Sequence, residues 1–350
     1  MAVRLKDIAR DLGLSVSSIS NALHDNGAIG ERNRKRVLKR AKELNYQPNF
    51  AALSLATGQT WTIGLVLPCL QDSFFAEIAE SITVAVHKRG YRVLISLSNE
   101  DPELEKQEIE QLLARRVDVL LVASAQSTVE SFRAAEERKV PYILLDRQFL
   151  GLSANFVGVD DREVGRIATA HLIEQGCQRV AHIRGPQMST AIGRLEGYLG
   201  ALADRHKVPL PGHVVSVRTS IDYDDENGAY EAARMLISSP NRPDAIFCFN
   251  DRLALGAMRA IFEAGLRIPE DVAIVGCGNL YYNNHLRVPL SSVDQASKSI
   301  GKTAAAMALK LAHKRKPTRL TQPLSELIRP QMMARASSLR SRLRIQPGAQ

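Results

Sequence analysis

From Trp61 onward, short apolar runs alternate with stretches whose apolar residues recur at helical spacing, and this alternation narrows the possible folds more than any other feature. The runs are Thr62–Pro68, Arg92–Leu97, Val117–Ala123, Tyr142–Asp146, Val180–Arg184, Val214–Val217, Ala245–Phe249 and Val272–Gly276. Between them, Phe75–Arg89 and Glu103–Arg115 carry helical periodicity. Strands separated by helices pair in parallel, with the helices on both faces of the sheet. The stretch is long enough for two such doubly wound sheets, and so for two lobes with a cleft between them. Ligands of open α/β sheets sit beyond the carboxyl ends of the strands, so those ends are the positions to inspect.

The first 46 residues follow a different rule. Leu5, Ile8, Ala9 and Leu12 fall on one helical face, with Lys6, Asp7, Arg10 and Asp11 outside. Gly13 ends that helix, since glycine enters left-handed conformations without steric cost. Ser15 stands where an N-cap belongs. A second helix is expected from Val16 to Leu23, burying Ile19 and either Ala22 or Leu23 and turning Val16, Ser17, Ser20 and Asn21 outward. After the loop at Asp25-Asn26-Gly27, a third helix over Glu31–Leu44 buries Val37, Leu38, Ala41 and Leu44. Its other face carries Arg32, Arg34, Lys35, Arg36, Lys39 and Arg40. Helix, glycine turn and short helix with small outward side chains is the pattern of a helix-turn-helix, whose second helix enters the DNA major groove. An ordinary three-helix bundle would share much of the same pattern.

The distribution of charge is compatible with nucleic-acid binding. Of the net +9, residues 1–60 hold ten Lys/Arg against five Asp/Glu, and residues 333–350 hold four Arg and no acid. Residues 61–332 are balanced, with 32 charges of each sign. Phosphate binding needs a localised patch of this kind, although a solvated charged face would have the same composition. No apolar run approaches the roughly 20 residues that span a bilayer, and Met1–Asp7 lacks the apolar core of a signal peptide. Cys69, Cys177, Cys248 and Cys277 have no metal-ligand spacing and read as buried thiols. A cytoplasmic protein without membrane association, metal or cofactor is therefore expected. No P-loop, GxSxG elbow, HExxH or strand-borne GxGxxG is present, and His171 and His182 read as structural, so an enzyme is not expected.

Specific motifs sharpen the picture. Leu5-Lys6-Asp7-Ile8-Ala9-Arg10, Gly13 through Leu23 and Leu44-Asn45-Tyr46-Gln47-Pro48-Asn49 resemble the head of the lactose-repressor (LacI/GalR) family of bacterial transcription regulators, and the likeness runs to about Arg329. The resemblance implies an α-helical helix-turn-helix head on an α/β body whose two parallel-sheet lobes resemble a periplasmic binding protein. It divides the chain into a head (1–46), a hinge (47–60), an effector-binding and dimerisation domain (61–332) and a basic flexible tail (333–350). DNA contacts carry over to Lys6, Ser15, Val16, Ser17, Ser18, Ser20, Asn21 and His24, with Asn49, Leu55 and Ala56 in the hinge. Val16, Ser17 and Asn21 would read bases, and Leu55 would wedge into the minor groove from a hinge helix ending near Gly58. Asn21 stands where Arg is usual and His24 where Asn is usual. Because Arg reads guanine and Asn pairs better with adenine, the operator should differ there.

In the body, the resemblance gathers strand-end residues into an effector pocket: Phe74, Phe75, Asp146, Arg147, Thr190, Arg194, Tyr223, Asn250 and Asn279. Taken singly, Asp146 and Asp251 also suit helix caps and Phe74 a core position. Where sugar- and purine-binding members commonly carry Asp, this chain has Gly278, within Gly276-Cys277-Gly278-Asn279. Asn279 or Tyr281 would have to substitute, or the ligand is not a simple sugar. The implied protein is a repressor, a homodimer on palindromic double-stranded operator DNA, controlled by a small molecule. The segment after Met333 has no leucine heptad to make a tetramer. Two other readings compete: a solute-binding protein, against which the head argues, and a small-molecule-binding protein with only non-specific DNA affinity.

Overall fold

The computed structural model describes residues 3–23, 30–46, 54, 58–126, 129–149, 152–217, 225–313 and 322–340. The chain divides into two compact units, Met1–Thr60 and Trp61–Gln350.

The first unit contains α1 (Leu5–Leu12), α2 (Val16–Leu23) and α3 (Glu31–Glu43). Arg4 N–H donates to Asp7 Oδ2 at 2.9 Å at the start of α1. Gly13 ends α1 at φ 64°, where a β-carbon would be strained. Ser15 Oγ then accepts from Ser18 N–H at 3.1 Å, the N-cap bond its position predicts. Ile8, Ala9, Ile19, Ala22, Val37 and Ala41 form the buried centre, so Ala22 rather than Leu23 takes the inner position. Leu38 departs from expectation: it is 42% exposed. Val37 and Ala41 are four residues apart and share one face, and Leu38 lies a further 100° round the helix. Arg40 holds α3 to α1 through Asp11 Oδ2, at 2.6 and 3.0 Å. His24, Asn49, Leu55 and Ala56 lie outside the described residues, as does most of the expected hinge.

The second unit is built on two six-stranded sheets of orders β11-β5-β4-β3-β1-β2 and β12-β10-β9-β8-β6-β7. The first uses β1 (Thr62–Leu67), β2 (Arg92–Leu97), β3 (Val119–Val122), β4 (Tyr142–Leu145), β5 (Asn155–Val159) and β11 (Ser325–Ile328). The second uses β6 (Val180–Arg184), β7 (Val214–Ser216), β8 (Ala245–Cys248), β9 (Ala273–Cys277), β10 (Ser291–Asp294) and β12 (Gln331–Met333). Every pairing is parallel except β10 with β12. Parallel strands covered on both faces should be apolar throughout, and β3, β8 and β9 are buried at every position.

The first lobe carries α4 (Ser73–His87), α5 (Pro102–Ala114), α6 (Arg133–Glu137) and α11 (Ser297–His313). The second carries α7 (Asp161–Glu174), α8 (Ser189–Ala203), α9 (Asp225–Ser238) and α10 (Asp251–Glu263). The chain passes between the lobes after β5, after β10 and between β11 and β12. Glycines fix the close packing of α7 on α8: a Cβ at Gly165 would lie 2.0 Å from Arg194 O, and one at Gly197 1.9 Å from Arg162 O. That closeness seats Asp161 of α7 beside Arg194 of α8.

Two expectations need correction. The eight expected strands are present with small shifts of boundary, but β5, β10, β11 and β12 were not foreseen. The expected flexible tail is docked at least as far as Arg340. Ser337 and Ser338 are fully buried. Ser337 Oγ donates to Ile274 O at 2.7 Å and accepts from Ser291 N–H at 2.8 Å. Arg335 reaches Leu290 O at 2.8 Å and Asn279 Oδ1 at 2.6 Å, and Arg340 reaches Asp244 O at 2.6 Å. Their guanidinium groups satisfy backbone carbonyls, so this part of the basic tail closes the second lobe.

Candidate functional site

The carboxyl ends of the strands of both lobes face a cleft that residues of both lobes line. The first lobe contributes Phe74 and Phe75, placed by the start of α4. Asp72 caps that helix by accepting from Phe74 N–H at 2.9 Å, and the two rings meet edge to face at 5.1 Å. Burial pushes the Asp72 carboxyl up, partly opposed by the Phe74 bond. Beyond β4, Asp146 adopts φ 62°, a left-handed conformation that Asp enters more readily than most non-glycine residues. The turn drives its carboxylate into the cleft, where Gln295 Nε2 donates to Oδ1 at 3.4 Å and Arg147 Nε lies 4.0 Å from Oδ2. Burial raises the Asp146 carboxyl well above its ordinary range, against the fields of Arg194 and Arg147.

Arg147 is clamped by Glu100 in a two-pronged pair at 2.7 and 2.6 Å, and also donates to Ser124 O at 3.0 Å. Ser124 Oγ in turn donates to the fully buried Glu105, at 2.5 Å. Although burial opposes its charge, the Glu100 field holds the Arg147 guanidinium above its ordinary value.

From the second lobe, Arg194 Nε donates to Asp161 Oδ1 at 2.9 Å and Nη1 to Phe249 O at 2.6 Å. Its guanidinium lies 4.5 Å from the centre of the Phe249 ring. Burial pushes Asp161 up to about 7, with Arg194 pulling the other way. Thr190 lines the cleft, and its Oγ1 is buried without a hydrogen-bond partner. Asn250 caps α10, its Oδ1 accepting from Leu253 N–H at 2.8 Å.

Gly278 lines the cleft at φ 128°, and a Cβ there would lie 3.2 Å from Asp251 Oδ2. Asp251, fully buried, accepts from Ser292 Oγ at 2.6 Å, Asn283 Nδ2 at 2.8 Å and Leu280 N–H at 3.0 Å. It thereby shapes the 278–283 turn.

The cleft therefore brings together Phe74, Phe75, Asp146, Arg147, Thr190, Arg194 and Asn250. Asn279 is the exception. Its side chain donates to Asp294 Oδ2 at 3.0 Å and accepts from Arg335 at 2.6 Å, so it braces the docked tail and is not among the lining residues. Tyr223 lies outside the described residues. Lining residues that the sequence reading did not assign include Cys69, Glu100, Met188, Arg252, Leu280 and Gln295. Cys69 and Glu100 follow strand ends and were open to the strand-end rule. Gln295 follows β10, which the apolar pattern did not disclose.

In the first unit, Lys6, Ser15, Val16 and Ser17 are exposed, while Ser18, Ser20 and Asn21 are half-buried. Val16, Ser17, Ser20 and Asn21 form one outward stripe of α2. On α3, Arg32, Lys35, Arg36 and Lys39 are exposed or half-buried, and Arg40 is held by Asp11 and Glu43. Small polar side chains on one short helix and solvent-facing cations on another suit a surface that meets base edges and phosphates.

Comparison with known proteins agrees with this division. Residues 4–49 match the profile of bacterial regulatory proteins, lacI family, and residues 60–328 match that of periplasmic binding proteins and sugar binding domain of LacI family. The chain is 31% identical over 315 residues to the HTH-type transcriptional repressor PurR of Haemophilus influenzae, covering 89% of this chain and 91% of that one. It is 30% identical over 312 residues to the ribose operon repressor of Halalkalibacterium halodurans, with the same coverage of 89% and 91%. A solved complex of the transcriptional regulator CelR with cellobiose aligns at TM-score 0.71 and 27% identity, over 96% of this chain and 99% of that one. The Lac repressor dimer bound to operator and the anti-inducer ONPF shares the fold at TM-score 0.82 and 24% identity, over 97% and 100%.

Proposed function

Because the chain belongs to the LacI family of bacterial regulatory proteins, we propose that it is a sequence-specific DNA-binding repressor of transcription whose operator affinity is set by a small molecule in the cleft. The observation that carries this reading is the presence, in one chain, of a helix-turn-helix with an outward polar stripe and a cleft with a buried, unpartnered hydroxyl at Thr190. Val16, Ser17 and Asn21 are the base readers, and Lys6, Ser15, Ser18 and Ser20 serve the flanking contacts. From the family resemblance, His24 joins them, and Asn49, Leu55 and Ala56 act in a hinge over 47–60. The head is 1–46, and the effector-binding and dimerisation domain runs from 61 to at least Arg340. A homodimer presents two heads to the two halves of a palindrome. The relatives are regulators, and this chain is read as a cytoplasmic regulator that performs no reaction of its own.

Control follows from linkage. The lobes close on a ligand by hinge motion, and a ligand that prefers one lobe arrangement shifts DNA affinity by the factor with which DNA shifts ligand affinity. In the cleft, Phe74 and Phe75 take the apolar face of the ligand, and Asp146, Thr190 and Arg194 meet its polar edge.

The test is selection of randomised duplex DNA by the full-length protein, repeated in rising salt. Enrichment of a palindrome that persists at moderate salt is the expected result. Sequence-blind retention that salt abolishes would leave a phosphate-binding patch only, and the reading as a ligand-binding protein without an operator would replace this one.

A further inference from the structure

The cleft contains both signs of charge, and its pairings decide which ligands it can accept. Three arginines line it: Arg147, Arg194 and Arg252. Arg147 is committed to Glu100 on two prongs, at 2.7 and 2.6 Å. Arg194 is committed to Asp161 and to the Phe249 carbonyl, at 2.9 and 2.6 Å. Arg252 acts on Asp72, whose carboxylate it favours electrostatically. Arg147 and Arg194 thus each have an acid of their own. The carboxylate left over is Asp146, buried, with Gln295 at 3.4 Å and Arg147 Nε at 4.0 Å. A phosphate or carboxylate entering here would find the Arg147 and Arg194 guanidinium groups engaged and Asp146 opposing it. An ammonium group at Asp146 would meet the fields of Arg147 and Arg194, which already lie on that carboxylate.

The opposite wall is bare. Gly278 has no side chain, and at φ 128° the position resists one. The Asp251 carboxylate beneath it is fully buried and turned to Ser292, Asn283 and the Leu280 amide. Cys277, Leu280 and Met188 complete an apolar surface on that side. Thr190, whose buried hydroxyl has no partner, lines the cleft from the same lobe.

We infer that the cleft takes an uncharged amphiphilic ligand, which donates hydrogen bonds from a polar edge to Asp146 and Thr190 and lays an apolar ring or chain over Gly278 and Leu280. Phosphorylated and carboxylate-bearing ligands are excluded. This inference rests on the reading of the cleft as the effector site and narrows its ligand class.

The experiment uses the full-length protein and matched probe pairs: adenosine with adenosine monophosphate, inosine with inosine monophosphate, and phenyl β-glucopyranoside with its 6-phosphate. Thermal shift locates binders, and calorimetric titration ranks each pair. At least one uncharged member should stabilise the protein, with its phosphate binding at least about tenfold more weakly. A phosphate that binds as tightly as its parent, or stabilisation by none of the uncharged probes, overturns the inference. Met188→Trp, which fills the cleft from its rim, separates the two levels of the argument. A phosphate whose binding this variant abolishes leaves the effector cleft standing and removes only the ligand class. Binding of any probe that is untouched by Met188→Trp removes the cleft reading itself. Asp146→Asn supplies a second arm: it should weaken the uncharged binder and narrow its lead over the phosphate, and an unchanged ratio also overturns the inference.

Discussion

Arg194→Ala should cost the second lobe stability in a manner that depends on pH. Arg194 is 3% exposed and Asp161 11% exposed in their salt bridge, so removing the arginine leaves a buried carboxylate without its cation. Breaking a buried pair from one side costs about 3–5 kcal/mol. Asp161 has an escape, because burial already places it at about 7 with Arg194 present, and without the arginine it rises further. A carboxyl raised in the folded state costs stability progressively as pH climbs from its ordinary value of 3.8 to its folded value. In the wild type this decline levels off just above pH 7. In the variant it continues, so the deficit widens by up to about 1.4 kcal/mol per pH unit. Urea unfolding followed by circular dichroism at pH 6 and pH 8.5 measures the difference. Adding Asp161→Asn should recover most of the loss and remove its pH dependence. An equal deficit at both pH values, or no recovery when Asp161→Asn is added, would refute the electrostatic account. Arg194→Ala cannot serve as a clean probe of ligand contact, since its structural cost comes first.

Three further substitutions probe other parts of the molecule. His182 lies between the rings of Phe247 and Tyr198 and its Nδ1 is 3.0 Å from Phe247 O; burial lowers it to about 4 from 6.5. Its contribution is complete above pH 6.5 and falls by about 3 kcal/mol as pH drops through 4, so His182→Phe should flatten the acid limb of a stability profile, and an unchanged limb would dismiss it. Ser337→Ala breaks the bonds to Ile274 O and Ser291 N and should cost about 1–3 kcal/mol; an unchanged Tm would show the docked tail to be dispensable. Asn21→Arg should move preference at one symmetric pair of operator bases from adenine toward guanine, read by duplex selection, and an identical profile would remove Asn21 from the base readers.

Which strands could be read from the chain depended on whether they carried a clear apolar run, not on burial alone: the half-exposed β2 and β7 were expected, and the buried β5 was not. Strands inside the parallel sheets are apolar on both faces, and all eight expected ones are present. Ser291–Asp294 is buried but mostly polar, and Ser325–Ile328 is mostly exposed, so hydrophobic periodicity carried no trace of them. The docked tail was misread for a related reason. Arginine looks like a solvent-facing residue by composition, yet Arg335 and Arg340 satisfy carbonyls that the fold leaves open. In the cleft, strand ends disclosed Asp146 and Asn250, and the family resemblance added Thr190 and Arg194. Asn279 does not line the cleft, because its side chain is held by Arg335, 56 residues away in sequence. Asp161 and Gln295 enter only through packing: one by the glycine-tight approach of α7 to α8, the other by the chain's second passage between the lobes.

The most direct test of the account is to measure affinity for the selected palindrome, with and without a ligand that stabilises the protein, in wild type and in Met188→Trp. The wild type should bind the palindrome far more tightly than a scrambled duplex, and the ligand should change that affinity several-fold. The variant should keep the DNA affinity and lose the response. A ligand response that persists with the cleft filled, or equal affinity for palindrome and scrambled DNA, would contradict the claim that this cleft governs sequence-specific binding.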